Sequence, residues 1–188
     1  MQPQTAEFKK MLKSIKFVVF FFVSIISAVA SAAPFGGSDD LVYASQLWKS
    51  LAVAGYVGPS AIMSVPYDGQ PPHGAVLDTI DGAVTVGANT GVVIVKRNYG
   101  GEGVSKSAVS NNPAKYIRAV TVMYKRKGYD ADNNDWFWAK YKPDGSLHTN
   151  DKGMSLAGRV AKGMPKGCIA CHTAAPGGDY VFNNDRVK

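Results

Sequence analysis

The sequence predicts an α+β domain, mainly antiparallel β-sheet with a few helices, that carries a cysteine–histidine motif near its C-terminus. Three observations predict it. Twenty Gly and ten Pro in 188 residues are many for a helical bundle and ordinary for short strands joined by turns. Runs of β-branched and aromatic residues recur between those turn-formers from Val76 onward. A clear helical period precedes them. With 46% hydrophobic and 19% charged residues, the chain is neither disordered, collagen-like nor a multi-span membrane protein. Two Cys allow at most one bridge, so a disulfide scaffold is excluded as well.

Residues 1–32 read as a removable signal peptide. Lys9, Lys10, Lys13 and Lys16 precede the apolar run Phe17–Ile26, and Ala30-Ser31-Ala32 fits the A-x-A cleavage rule. A retained anchor is the rival, but the stretch from Phe17 to Ala30 falls short of the ~20 residues of a spanning helix. Cleavage leaves one domain, residues 33–188, in the periplasm. It also removes four Lys and Glu7, so a net charge of +7 becomes about +4. Outside Lys125-Arg126-Lys127 that charge is scattered, and no basic stripe points to nucleic acid.

Residues 33–40 read as a flexible leader, with Ser38, Asp39 or Asp40 as a helix N-cap. Leu41, Ala44, Leu47, Trp48, Leu51 and Ala52 then recur at helical spacing, and Gly55 is a stop signal. Val76–Ile80 and Ala83–Val86 flank Asp81-Gly82, a hairpin-type turn pair. Val92–Val95, β-branched throughout, reads as a buried strand; Ala119–Tyr124 and Asp135–Tyr141 follow, with Pro143-Asp144-Gly145 as a turn. Leu156, Val160 and Ala161 suit a short helix ending near Gly163.

Cys168-Ile169-Ala170-Cys171-His172 holds both cysteines and one of three histidines. Cys-x-x-Cys-His is the c-type haem attachment pattern. Two thiols at this spacing can add to two haem vinyl groups, and the adjacent imidazole is a suitable axial iron ligand. Cys168, Cys171 and His172 are therefore the cofactor-binding residues, with His172 on the metal, for one haem c per chain. A lone disulfide, a thioredoxin-like pair and a zinc site with His73 or His148 compete less well. No Met follows His172, and Met63, Met123, Met154 and Met164 read as core or loop residues. His73 and His148 sit among turn-formers and polar residues, so neither reads as a second iron ligand. The β-branched strands argue against a four-helix cytochrome. The expectation is an iron site open on the side opposite His172.

Three stretches together resemble the cytochrome P-460 family. They are Val120–Lys125; Asp135–Tyr141 followed by Pro143-Asp144-Gly145; and Gly167–His172 with Asp179-Tyr180-Val181-Phe182 after it. The resemblance implies a mainly antiparallel sheet with a few helices, a C-terminal c-type haem and a homodimer. It also implies one of two activities. Members with a lysine bonded to a haem meso carbon oxidise hydroxylamine; relatives called cytochrome c-prime-beta lack that bond and bind nitric oxide or carbon monoxide in an apolar pocket. The stretch matching the cross-linking strand is Thr90–Arg97, which keeps the Gly, the apolar run and Lys96 but has Arg97 in place of an acid. Lys96 is thus the candidate catalytic residue. If Val92 and Ile94 line the haem pocket, the period of a strand carries Lys96 to the same face, where desolvation makes its amine a nucleophile. The expected function is periplasmic oxidation of hydroxylamine to nitrogen oxides, with electrons passed to a soluble cytochrome; nitric oxide or carbon monoxide binding without turnover is the alternative.

Other side chains have plainer expectations. Trp136 and Trp138 share one strand face opposite Phe137 and read mainly as packing. Asp179 reads as a cap on the turn at Gly177-Gly178, or else as the group orienting His172. Arg97 reads as solvent-facing, with a haem propionate as its other partner. Gly167 and Thr173-Ala174-Ala175 read as small residues that let a porphyrin approach.

Overall fold

The computed structural model describes residues 35–182; the predicted signal peptide, residues 1–32, lies outside the described residues. Helix α1 (Ser38–Val53) comes first, followed by strands β1 (Tyr67–Asp68), β2 (Val76–Val86) and β3 (Asn89–Tyr99). Short helices α2 (Lys106–Asn111) and α3 (Pro113–Tyr116) lead into β4 (Ile117–Lys125) and β5 (Trp136–Tyr141). Strand β6 (Ala157–Gly158) and helix α4 (Cys168–His172) complete the order. The six strands form one sheet in chain order, each antiparallel to the next. The predicted α+β class is the observed one. Among the described residues, no helix is long and apolar enough to cross a membrane.

Helix α1 presses Ala44, Leu47 and Leu51 onto one sheet face, against Val93, Val95, Val120 and Val122. The stripe is narrower than its sequence suggests, since Leu41 and Ala52 remain exposed. Its cap also differs from expectation. Gly37 is the N-cap, without a side-chain bond, and Asp39 and Asp40 lie inside the first turn, where their charge suits the helix dipole. The leader is held rather than loose. Gly36 N–H donates to Ala157 O at 2.8 Å, and Phe35 is buried against the opposite sheet face. Asp40 accepts from Gly36 N–H and from the Tyr129 hydroxyl instead of capping the helix.

The first hairpin corrects the expected turn. β2 runs unbroken through Asp81-Gly82, which pair with Ile94 and Val93, and the chain reverses at Gly87-Ala88 with Gly87 at φ +58°. Gly82 is needed for closeness rather than for turning: a Cβ there would meet the Tyr56 hydroxyl. Residues 156–163 also depart from expectation. Ala157–Gly158 form an edge strand on Trp138-Ala139, and Ala161 at φ +64° prevents a helix.

Arg97 does not face solvent. It lies 3% exposed on the α1 side, with Nε and Nη2 donating to Asp78 Oδ1 at 3.0 and 2.7 Å and Nη2 also donating to Ile62 O. The Tyr99 hydroxyl donates to Asp78 Oδ2 at 2.9 Å, so the buried carboxylate is well satisfied.

Candidate functional site

On the face away from α1, the strands alternate to present Ile94, Met123, Trp136 and Trp138, and the C-terminal segment packs there through Ile169. Helix α4 is only five residues long. Its spacing still puts Cys168, Cys171 and His172 on one side, at positions i, i+3 and i+4, while Ile169 turns into the core. Gly167, at φ +133°, precedes it because a Cβ there would run into Ala161. The two cysteines are not paired in a disulfide: Cys168 is partly buried and Cys171 is exposed.

His172 is oriented by backbone. Its Nδ1 lies 2.7 Å from the Tyr180 carbonyl oxygen. A carbonyl only accepts, so Nδ1 carries the hydrogen and Nε2 keeps its lone pair. Burial pulls the imidazole below its ordinary value, outweighing the Tyr180 bond, and nearby Lys96 adds to the effect. A neutral imidazole results, the form that binds metal. Trp138 packs edge-on against the ring at 4.9 Å and Phe182 at 5.4 Å.

Asp179 neither caps a turn nor touches His172. It anchors the segment that does. Its carboxylate accepts from Lys125 Nζ at 2.6 Å and from Asn134 and Trp136, and its carbonyl accepts from Trp136 Nε1. The next residue, Tyr180, sits at φ +63° and presents its carbonyl to His172.

His172 lines a narrow cavity of about 30 Å³ with His73, Thr79, Ile94, Lys96 and Met123 among its walls. Through Ile94 and Val181 this cavity adjoins a second, of about 340 Å³, bounded also by Asp81, Val92 and Asp179. Lys96 therefore shares a wall with His172, and Val92, Ile94 and Lys96 follow one strand face as the period of two requires. Val92, however, is 51% exposed rather than buried. Lys96 stands in a cross-strand row with Thr79 and Thr121, and Thr121 pairs in turn with Lys140. Arg97, on the other face, cannot reach a group in this cavity.

Sequence reasoning missed His73. It lines the same cavity, 6.3 Å from His172 between ring centroids, with Nδ1 at 3.0 Å from Asn98 Oδ1. Burial, then Lys96, push it down to about 4. His148 lies elsewhere, beside the Arg118 carbonyl. Among the described residues, no three His, Cys, Asp or Glu side chains cluster as a metal site.

A Cys-x-x-Cys-His helix on one face of the sheet, with its histidine lining a cleft, marks a c-type haem protein. The family model described as Cytochrome P460 matches residues 57–183, well over half of the 188-residue chain, and the chain belongs to that family. No curated protein and no solved structure matches it. Its cofactor is accordingly haem, and its metal iron. The cleft fits such a group. Trp138 is 3% exposed, yet its indole N–H has no partner within the protein. Trp138 packs against His172, so an acceptor bound in the cleft beside that ring would satisfy it.

Proposed function

We propose that the protein oxidises hydroxylamine to nitrogen oxides at a haem iron that His172 would hold. The observation that carries this reading is that Lys96 and His172 line one cavity. Cys168 and Cys171 would hold one haem c per chain through thioethers, and His172 Nε2 would bind its iron. Bound there, the haem supplies an iron centre that takes electrons from the substrate. The Tyr180 carbonyl fixes the imidazole's hydrogen on Nδ1 and so keeps Nε2 aimed and basic. Ile94, Met123, Val181 and Phe182 give the cavity its apolar walls. Lys96 lines the cavity as the residue that would carry the lysine–haem link of the cross-linked members of the family. The mature chain, cleaved after Ala32, works in the periplasm as a homodimer and passes electrons to a soluble cytochrome.

A haem-peptide digest tests this reading. The expected result is haem attached to two peptides, one with Cys168 and Cys171 and one with Lys96. Lys96→Ala should then abolish hydroxylamine oxidation and leave nitric oxide binding. Haem attached only to the cysteine peptide would overturn the enzyme. It would favour the second reading, a nitric oxide or carbon monoxide binder, which the apolar wall of the cavity supports.

A further inference from the structure

We propose that His73 is a second axial ligand, closing the iron position opposite His172 until a substrate or gas displaces it. The proposal rests on the haem reading above and concerns the side of the site that reading leaves open. Its first support is the hydrogen-bond pattern around Asn98. The Asn98 side-chain nitrogen donates to Lys96 O at 2.9 Å and Ala119 O at 3.3 Å, both pure acceptors. That fixes the amide, so the oxygen is the atom facing His73 Nδ1 at 3.0 Å. His73 therefore donates from Nδ1 and keeps a bare lone pair on Nε2. His172 has the same arrangement, donating from Nδ1 to the Tyr180 carbonyl. Donation of the distant ring N–H to a fixed oxygen is how protein imidazoles are set up to bind metals.

The second support is spacing. A metal–nitrogen bond is about 2 Å, and an imidazole nitrogen lies about 1 Å from its ring centre. Two imidazoles across one metal thus have centroids about 6 Å apart by the same bond lengths. The observed separation is 6.3 Å, with the rings at 85° and both lining one cavity.

The third is rigidity. His73 lies in the tight loop between β1 and β2, where its N–H donates to Gln70 O and Gly69 N–H donates to Ala75 O. Gly74 presses so closely on Tyr99 that a Cβ would meet its backbone. The imidazole is consequently held over the cavity by both its backbone and its side chain. Lys96 and Met123 share the cavity and are the rival ligands.

The test uses the full-length protein produced with c-type maturation machinery. The ferric protein should be low-spin, with the near-infrared magnetic circular dichroism band of two nitrogen ligands of the imidazole type. His73→Ala should turn it high-spin, and added imidazole should restore the low-spin spectrum. Cyanide binding should saturate at a fixed rate in the wild-type protein and rise linearly with concentration in the variant. A high-spin wild-type spectrum, or a methionine or amine signature, would overturn the proposal, as would a His73→Ala spectrum that stays low-spin. Haem retention after acid-acetone extraction is measured alongside. Loss of haem there sinks the haem reading, whereas retained haem with a high-spin spectrum sinks only the role of His73.

Discussion

The two faces of this sheet are built from the same strands and obey different rules. Arg97 and Lys96 are neighbours in β3. Arg97 points toward α1 into a closed set of partners, Asp78, Tyr99 and the Ile62 carbonyl, and is 3% exposed. Lys96 points the other way, into the cavity that holds His172 and His73. Val93 and Val92 repeat the contrast, fully buried on the helix side and 51% exposed on the cleft side. The helix side pairs its charged groups within the protein, although the Tyr43 hydroxyl there lacks a partner. The cleft side keeps the Trp138 indole N–H, beside the His172 ring, without a partner. The difference separates residues that stabilise the sheet from residues that serve a ligand, within a single strand.

The largest expected effect is on the closed face. Asp78→Ala leaves the Arg97 guanidinium buried without its counter-charge and should cost about 3–5 kcal/mol in urea unfolding. Replacing Asp78 and Arg97 together with apolar residues should recover much of that loss, since the penalty lies in the unpaired charge. A double variant as unstable as Asp78→Ala would mean that the pair contributes more than charge satisfaction.

The valine pair gives the next largest effect. Val93→Ala opens a hole beneath Leu47 and should cost about 2 kcal/mol, at about 0.8 kcal/mol per methylene plus a cavity term. Val92→Ala should change stability by less than about 0.5 kcal/mol. Equal effects from the two variants would break the distinction between the faces.

How much of this was legible in the sequence follows from the range of each signal. The Cys168–His172 motif, the α1 stripe and the alternation of Trp136, Phe137 and Trp138 are local patterns, and each appears in the structure. Arg97 was not legible because its partner lies 19 residues upstream. Pairing Asp78 with Arg97 needs the true turn at Gly87-Ala88, and Asp81-Gly82 is the stronger turn signal by composition. Setting the turn there hides the register and, with it, the buried ion pair. The Tyr180 carbonyl was equally hidden, since any residue supplies a carbonyl oxygen. His73 left one usable clue: an imidazole beside prolines and Gly74 lies on a rigid loop, and rigid loops commonly carry functional side chains.

The two tryptophans sharpen the comparison at smaller energies. Trp136 Nε1 donates to Asp179 at 3.0 and 3.2 Å, while Trp138 Nε1 has no partner. Trp136→Phe should cost about 1–3 kcal/mol through lost bonds and lost volume. In haem-free protein Trp138→Phe should cost clearly less, because it also removes an unsatisfied buried donor. With haem bound, the order of the two costs should narrow. A Trp138→Phe loss as large as that of Trp136→Phe in the haem-free protein would show that the indole N–H is already paired.

The smallest effect concerns Asp179, at the boundary of the cleft, and it depends on pH. Burial alone would raise its carboxyl, but Lys125 Nζ at 2.6 Å, with Asn134 and Trp136, outweighs burial and holds it below the ordinary carboxylate value. A folded-state value below the unfolded one means that the unfolded chain binds the extra proton. The stabilisation is therefore complete above the unfolded value, near pH 4, and is lost as pH falls through the lower folded value. The pair is partly open to solvent, with side chains 28% and 53% exposed, so its worth is about 0.5 kcal/mol and screened by salt. Asp179→Asn should accordingly lower the urea midpoint slightly at pH 7. The gap should shrink in about 1 M salt and shrink again as pH falls below about 4. A gap undiminished at low pH would mean that Asp179 holds the Tyr180 segment as a hydrogen-bond acceptor of either charge state. The clasp behind His172 would then be set by shape rather than by electrostatics.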